Sequence, residues 1–291
     1  MDSNAVDHPH GAQLALVLGL SLLALVALPS PSDGQTASDR AAPLPGLVVE
    51  RHRLPRASTT GVGDRTLTLV RVDPARYRFR MLSEGHEGER RALPQWVRDE
   101  GLVGGINAGM FLPSGRSVGF LMQGDEVRSD RRPRSFSGYL GFDPRRPGAP
   151  LFRLAGRGCG GGLDWMRERY RSVLQVRAVL VDCEGHPGTW RTRRYSMAAI
   201  GRDTEGRVVL AHVRTPYRMH VLNRMITSLG LGIRGLVYLE GGPEASLVVN
   251  RHGENPTPVR AMGSWEDGFN PNDDNRAFWD LPNVIGFEAR E

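Results

Sequence analysis

The sequence predicts an α+β fold: a mixed, hairpin-rich β-sheet core with two or three packed helices, in a single domain. Two observations carry the prediction. Short apolar segments recur along the chain, separated by turns rich in Gly, Pro and Asp. Only residues 91–99, 163–174 and 219–229 space apolar side chains at helical intervals, which reads as α+β rather than a doubly wound sheet. With 291 residues, 40% hydrophobic and 24% charged, the chain has the composition of an ordinary globular protein and can bury a sizeable core.

Taken in order, residues 47–54 and 66–72 alternate apolar with polar residues as half-buried strands do, and residues 77–82 form a third such segment. Asp73-Pro74 and Ser83-Glu84-Gly85 supply the turns, so an antiparallel meander is expected. Leu93, Trp96 and Val97 mark a short amphipathic helix within residues 91–99. Residues 102–111, Leu-Val-Gly-Gly-Ile-Asn-Ala-Gly-Met-Phe, read as a strand running into Asn107. Residues 118–127 read as a hairpin turning at Gly124-Asp125, and residues 138–142 and 151–154 as further strands.

Five glycines in residues 156–162 predict a flexible loop of lid character. No Lys-Ser/Thr follows them, which excludes a phosphate cradle. Residues 163–174 read as helix, 176–181 as strand and 182–190 as loop. A hairpin is expected for residues 195–213 around the polar turn 201–206, with Arg191, Arg193 and Arg194 at its entrance as a solvated edge or an anion grip. Val221, Leu222, Met225, Ile226 and Leu229 make a helix that Gly230 and Gly232 stop. The apolar run 236–239 then ends in Glu240-Gly241-Gly242-Pro243, and residues 245–250 are expected to return as a hairpin. Residues 255–276 are long and polar, and a last strand covers residues 284–288.

The formal charge is +6, and all 38 basic residues are Arg. Arg suits bidentate grip on phosphate or carboxylate. The arginines are scattered among 32 acids, with no basic helix or zinc knuckle, which argues against nucleic acid as a partner. Residues 14–28 are apolar and precede Pro29-Ser30-Pro31-Ser32. That run is short for a membrane span and suits a signal peptide or short anchor, although no Arg precedes it. The expected division is signal peptide or anchor in residues 1–32, linker in 33–46 and one domain in 47–291. The protein is thus expected to be exported, as a periplasmic, extracellular or membrane-anchored chain, touching membrane only through such an anchor. Cys159 and Cys183 are compatible with a disulfide or with two buried thiols.

Glu240 stands out because a carboxylate at the end of a buried strand is held on a rigid support. Gly241 and Gly242 permit close backbone approach or a positive φ. Asn107 ends another strand with an amide that donates and accepts at once, which suits sugar hydroxyls, although Asn is equally at home in a turn. Glu244 offers a second carboxyl with unreadable direction, and His212 and His220 are weaker proton-transfer candidates. Asp273 and Asp274 lack the spacing of a calcium loop and read as solvated.

Gly105 to Phe111, Val118-Gly119-Phe120 through Gly124, the 196–213 hairpin and Gly230 to Ser246 resemble, in order and spacing, the phosphodiester glycosidase family. Leu281 to Gly286 resembles the segment that closes such domains. The resemblance spans residues 47–288 and implies hydrolysis of a sugar-1-phosphodiester, of the N-acetylglucosamine-1-phosphodiester kind, in a glycan or exopolysaccharide. No cofactor is expected, and the residues single out no metal ligand. The resemblance implies Glu240 as base, nucleophile or charge stabiliser, Arg194 as the phosphate grip with Arg193 in reserve, and Asn107 as the residue orienting the sugar. Gly109, Gly241, Gly242 and Ser246 are implied around the substrate. Two departures stand out: Glu240 replaces the family's Asp, and Met197 falls where an Arg is usual. Those departures motivate an alternative, a non-catalytic carbohydrate-binding or polysaccharide-assembly protein on the same fold. A hydrolase of another ester or glycoside is a third reading.

Overall fold

The computed structural model describes residues 44–250, 258–267 and 270–290. The predicted signal or anchor segment and nearly all of the predicted linker lie outside them. Among the described residues no helix is long and apolar enough to cross a membrane.

Strands dominate, and they form three separate larger sheets rather than one mixed sheet; every strand pairing among the described residues is antiparallel. In spatial order the first holds Leu47–Arg53, Thr66–Val72, Val208–Arg218, Arg194–Asp203, Ile233–Glu240 and Ala178–Val181. The second holds Glu126–Ser129, Leu121–Gln123, Tyr170–Val176, Gly138–Pro144 and Phe152–Gly156. The third holds Val259–Met262, Ser246–Val249, Gly104–Asn107, Asn283–Ala289 and Tyr77–Ser83.

One core joins the sheets. Val70, Ile200, Leu210 and Leu239 come from the first, Leu121, Leu140 and Leu174 from the second, and Phe79, Ile106, Leu247 and Phe287 from the third. Each sheet turns its other face to a helix. Met219–Ser228 packs Met219, Leu222, Met225 and Ile226 with Met197, Ala199, Val209 and Ala211 of the first sheet. Leu93–Asp99 packs Trp96 and Val97 with Leu82, Val248 and Val284, and Leu163–Arg167 packs Met166 with Phe120, Tyr170 and Val173. Burying each of these larger side chains is worth about 1.5–3 kcal/mol. Strands covered on both faces have no polar face to show, which is why the Val208–Ala211 and Leu236–Leu239 stretches are continuous apolar runs.

Four expectations are corrected. The meander stops after two strands, because Tyr77–Ser83 joins the third sheet beside Asn283–Ala289. Residues 163–174 hold a helix only over Leu163–Arg167, and Tyr170–Val176 is a buried strand. The glycine-rich loop is tied down: Cys159 and Cys183 form a disulfide with a Cα–Cα distance of 5.0 Å, and Gly156 bridges Gly160. Finally, Ser246–Val249 does not return beside Ile233–Glu240. It pairs with Gly104–Asn107 and Val259–Met262, so the chain changes sheets at Gly241–Ala245.

Candidate active site

Three such crossings build one cleft. Between Gly104–Asn107 and Leu121–Gln123 the chain passes from the third sheet to the second. At Arg177, between Tyr170–Val176 and Ala178–Val181, it passes from the second to the first. After Glu240 it passes from the first to the third. The cleft, about 540 Å³, is lined by Met110 and Val118 from the first crossing, Arg177 from the second, and Glu240, Gly241, Gly242 and Glu244 from the third. Phe136, Trp190, Tyr195 and Tyr238 give it an aromatic wall, and such faces stack on the apolar side of a sugar ring.

Backbone irregularity aims Glu240. Along its neighbour the register steps from Ala199 opposite Tyr238 to Ala198 opposite Glu240, so one extra residue enters this strand just before the carboxylate. A bulge at a sheet end re-aims the side chain that follows it. The half-buried Glu240 accepts a hydrogen bond at Oε1 from the Gly241 N–H, 3.0 Å. Gly241 has no room for a side chain: a Cβ there would lie 2.4 Å from the Tyr238 hydroxyl and 2.8 Å from the Ser196 carbonyl. Gly242 has φ +62°, which favours glycine, and its carbonyl accepts from Ser196 Oγ at 2.9 Å.

Arg177 donates to Ser135 Oγ at 2.6 Å, and its guanidinium lies 5.6 Å from the ring centres of both Phe136 and Trp190. Trp190 in turn meets Tyr238 edge-on at 5.1 Å. Behind this wall, buried Gln175 donates to the carbonyls of Pro133 and Phe136 and accepts from the Phe120 N–H, which fixes the 133–136 loop to the second sheet. A Cβ on Gly119 would sit 2.4 Å from the Gln175 carbonyl, so the Val-Gly-Phe segment needs its glycine for packing.

Glu244 lies on the single helical turn Gly242–Glu244 and shares the cleft with Glu240. Burial pushes its carboxyl above the usual carboxylate range, opposed only by its own backbone N–H. His212 is fully buried, and its Nε2 lies 3.1 Å from the Ala245 carbonyl. A carbonyl only accepts, so Nε2 carries the proton. Desolvation lowers the ring's pKa to about 4, leaving it neutral near pH 7. His212 thus braces the turn behind Glu244 rather than exchanging protons.

The structure places the sequence candidates unevenly. Glu240, Gly241 and Gly242 line the cleft; Arg193 and Arg194 do not. They line a separate hollow with Thr59, Thr60 and Arg218. Met197 is fully buried against the helix side of the first sheet, so the guanidinium in the cleft is that of Arg177, from another strand. Asn107 and Ser246 are buried and absent from the cleft wall. Asn107 Oδ1 accepts from the Ser246 N–H at 3.0 Å, tying two strands of the third sheet, while Asn107 Nδ2 and Ser246 Oγ have no hydrogen-bond partner among the described residues. Gly109 is buried with φ +76° and turns the chain so that Met110 can reach the cleft. His220 lies outside the cleft, at the start of Met219–Ser228. Asp273 and Asp274 are exposed, as expected, and Asp273 also pairs with Arg214 at 2.7 Å.

Sequence reasoning missed Arg177 on the cleft wall, and the signal was present: an Arg interrupts an otherwise apolar run from Val176 to Val181. Phe136 and Trp190 carried no comparable signal.

A family model described as phosphodiester glycosidase matches residues 100–288. Among solved structures the chain is similar to the catalytic domain of zebrafish N-acetylglucosamine-1-phosphodiester alpha-N-acetylglucosaminidase, in a form auto-inhibited by its pro-peptide. The TM-score is 0.58 at 13% identity, covering 86% of this chain and 87% of that one. It is also similar to a hypothetical protein from Synechocystis, with a TM-score of 0.55 at 13% identity, covering 84% of this chain and 62% of that one. At such identities these likenesses show the fold. No curated protein matches the sequence.

Proposed function

The chain belongs to the phosphodiester glycosidase family, and from that premise we propose that it hydrolyses a sugar-1-phosphodiester, of the N-acetylglucosamine-1-phosphodiester kind, in a glycan or exopolysaccharide. The observation that carries this reading is the meeting of Glu240 and Arg177 in one aromatic-walled cleft. In the proposed reaction the bond between the anomeric carbon and the phosphate oxygen breaks. Glu240 stabilises the positive charge that develops at the sugar and takes the proton of the attacking water. Arg177 holds the departing phosphate by charge-assisted hydrogen bonds, and the aromatic wall seats the sugar ring. A phosphate monoester is a weak base and leaves without being protonated. The disulfide and the apolar residues 14–28 support export to an oxidising compartment.

The purified protein is expected to release reducing sugar from an N-acetylglucosamine-1-phosphodiester. Arg177→Ala should lower kcat/KM on that substrate by roughly a hundredfold or more, the cost of removing one charge-stabilising donor. Arg194→Ala should stay within a fewfold of wild type. Binding of the glycan with no product after long incubation would favour the non-catalytic alternative. A greater loss in Arg194→Ala than in Arg177→Ala would return the phosphate grip to the hairpin entrance.

A further inference from the structure

The mechanism above leaves one group in the cleft unused. If phosphate departs without a proton, nothing in that reaction calls for the second carboxyl, yet Glu244 is held with care. Its turn is fixed on both sides. Ser196 Oγ donates to the Gly242 carbonyl, the Ala245 N–H donates to the same carbonyl at 3.2 Å, and His212 donates to the Ala245 carbonyl. Glu244 itself forms no ion pair among the described residues, although the chain carries 38 arginines. Burial of part of the carboxyl, with no ion pair beside it among the described residues, shifts its balance toward the protonated form, in line with the upward direction of its pKa. Glu240, four residues earlier on the same cleft wall, accepts a hydrogen bond from the Gly241 N–H. Two carboxyls on one cleft wall with different partners, one accepting a neighbouring backbone N–H and the other in no ion pair among the described residues, form the arrangement that can divide acid from base in glycoside hydrolysis.

We propose that Glu244 is a proton donor to the glycosidic oxygen, and that it extends the substrates of this cleft from sugar phosphodiesters to glycosides whose leaving group is a basic alcohol. The inference rests on the role given to Glu240 above. In the step, the bond from the anomeric carbon to the leaving oxygen breaks as the Glu244 proton passes to that oxygen, giving the free alcohol. Water forms the new bond to the anomeric carbon and gives its proton to Glu240. The sum is the addition of one water across the linkage, and the proton returns from Glu240 to Glu244 through solvent.

The test compares two substrates with the same sugar, N-acetylglucosamine 1-(methyl phosphate) and methyl N-acetylglucosaminide. Wild type is expected to cleave both. Glu244→Gln should lower kcat on the methyl glycoside by about a hundred- to ten-thousandfold while the phosphodiester rate stays within about tenfold. A second measurement needs no variant: across aryl glycosides of rising leaving-group pKa, wild-type kcat should change little, because the acid offsets the poorer leaving group. Wild type that cleaves the phosphodiester but not the methyl glycoside would overturn the proposal and leave the phosphodiester reading standing. Equal losses on both substrates in Glu244→Gln, or a steep fall of wild-type kcat across the aryl series, would overturn it too. Cleavage of neither substrate would sink the phosphodiester reading, and this proposal with it.

Discussion

Glu240→Gln is expected to lower kcat on a sugar-1-phosphodiester by roughly a hundred- to ten-thousandfold, with the protein still folded. The side chain is half-buried, and the backbone hydrogen bond it accepts from Gly241 can be accepted equally by the Gln carbonyl oxygen. Shape and that contact therefore survive, whereas the negative charge and the proton-accepting oxygen do not. The effect should appear in kcat rather than KM, because the charge acts on an anomeric centre that becomes cationic only in the transition state. Unfolding midpoints of variant and wild type should agree closely. A loss below about tenfold would remove Glu240 from the chemistry. Glu240→Asp tests the departure from the family's usual residue: drawing the carboxylate back by one methylene should cost activity if the bulge has set the strand for the longer side chain.

The largest stability effect is expected at the far end of the same sheet. Asp203 is buried at the turn of the 194–218 hairpin, where Arg71 Nη1 and Arg207 Nε reach it at 2.8 and 2.7 Å. Its Oδ1 also accepts the backbone N–H groups of Glu205 and Arg207. Arg71 is itself buried and donates onward to Glu50 and to the Leu231 carbonyl. Asp203→Ala strips one of two carboxylate partners from that guanidinium and leaves the Glu205 and Arg207 N–H groups without their acceptor, at a cost of about 3–5 kcal/mol, read as a shift of the urea midpoint at unchanged slope. Activity per folded molecule should be unchanged, because the hairpin turn and the cleft lie at opposite ends of a ten-residue strand. Burial alone would raise the Asp203 pKa, but the hydrogen bonds from Arg207 and Arg71 outweigh it and hold the carboxyl below the usual range. Its stabilising contribution is therefore present above the unfolded value, near 4, and is lost as pH falls through the lower folded one. Wild type and Asp203→Ala should converge in stability in strong acid.

The local grammar of this chain was legible where one element decides its own form. The helix Met219–Ser228, the 194–218 hairpin, the Gly124-Asp125 turn and the strand leading to Glu240 were all readable from period and turn residues. The partner of a strand was not. Gly241-Gly242-Pro243 announces a turn, but nothing local says whether the next strand pairs beside the last or crosses to another sheet. Tyr170–Val176 was mistaken for helix because it is buried along nearly its whole length and so lacks alternation, while Leu163, Met166, Tyr170 and Leu174 happen to satisfy a helical period. The site suffered from the same nonlocality. The place of Glu240 on the cleft wall was legible because strand end and carboxylate are adjacent in sequence. Arg177 reaches the cleft from another crossing, and Arg194 was favoured because the resemblance pointed to its neighbourhood. Glu244 was visible as a residue, but its partial burial in the cleft depends on contacts that only the folded chain supplies.

The central claim is that this cleft breaks the bond on the sugar side of a glycosidic phosphodiester. Hydrolysis of N-acetylglucosamine 1-(methyl phosphate) in 18O-labelled water, followed by mass spectrometry of both products, tests it most directly. The account predicts the label in the reducing sugar and an unlabelled phosphate monoester. Label in the phosphate would mean that phosphorus is the centre attacked, and the absence of both products would mean that the cleft does not perform this chemistry.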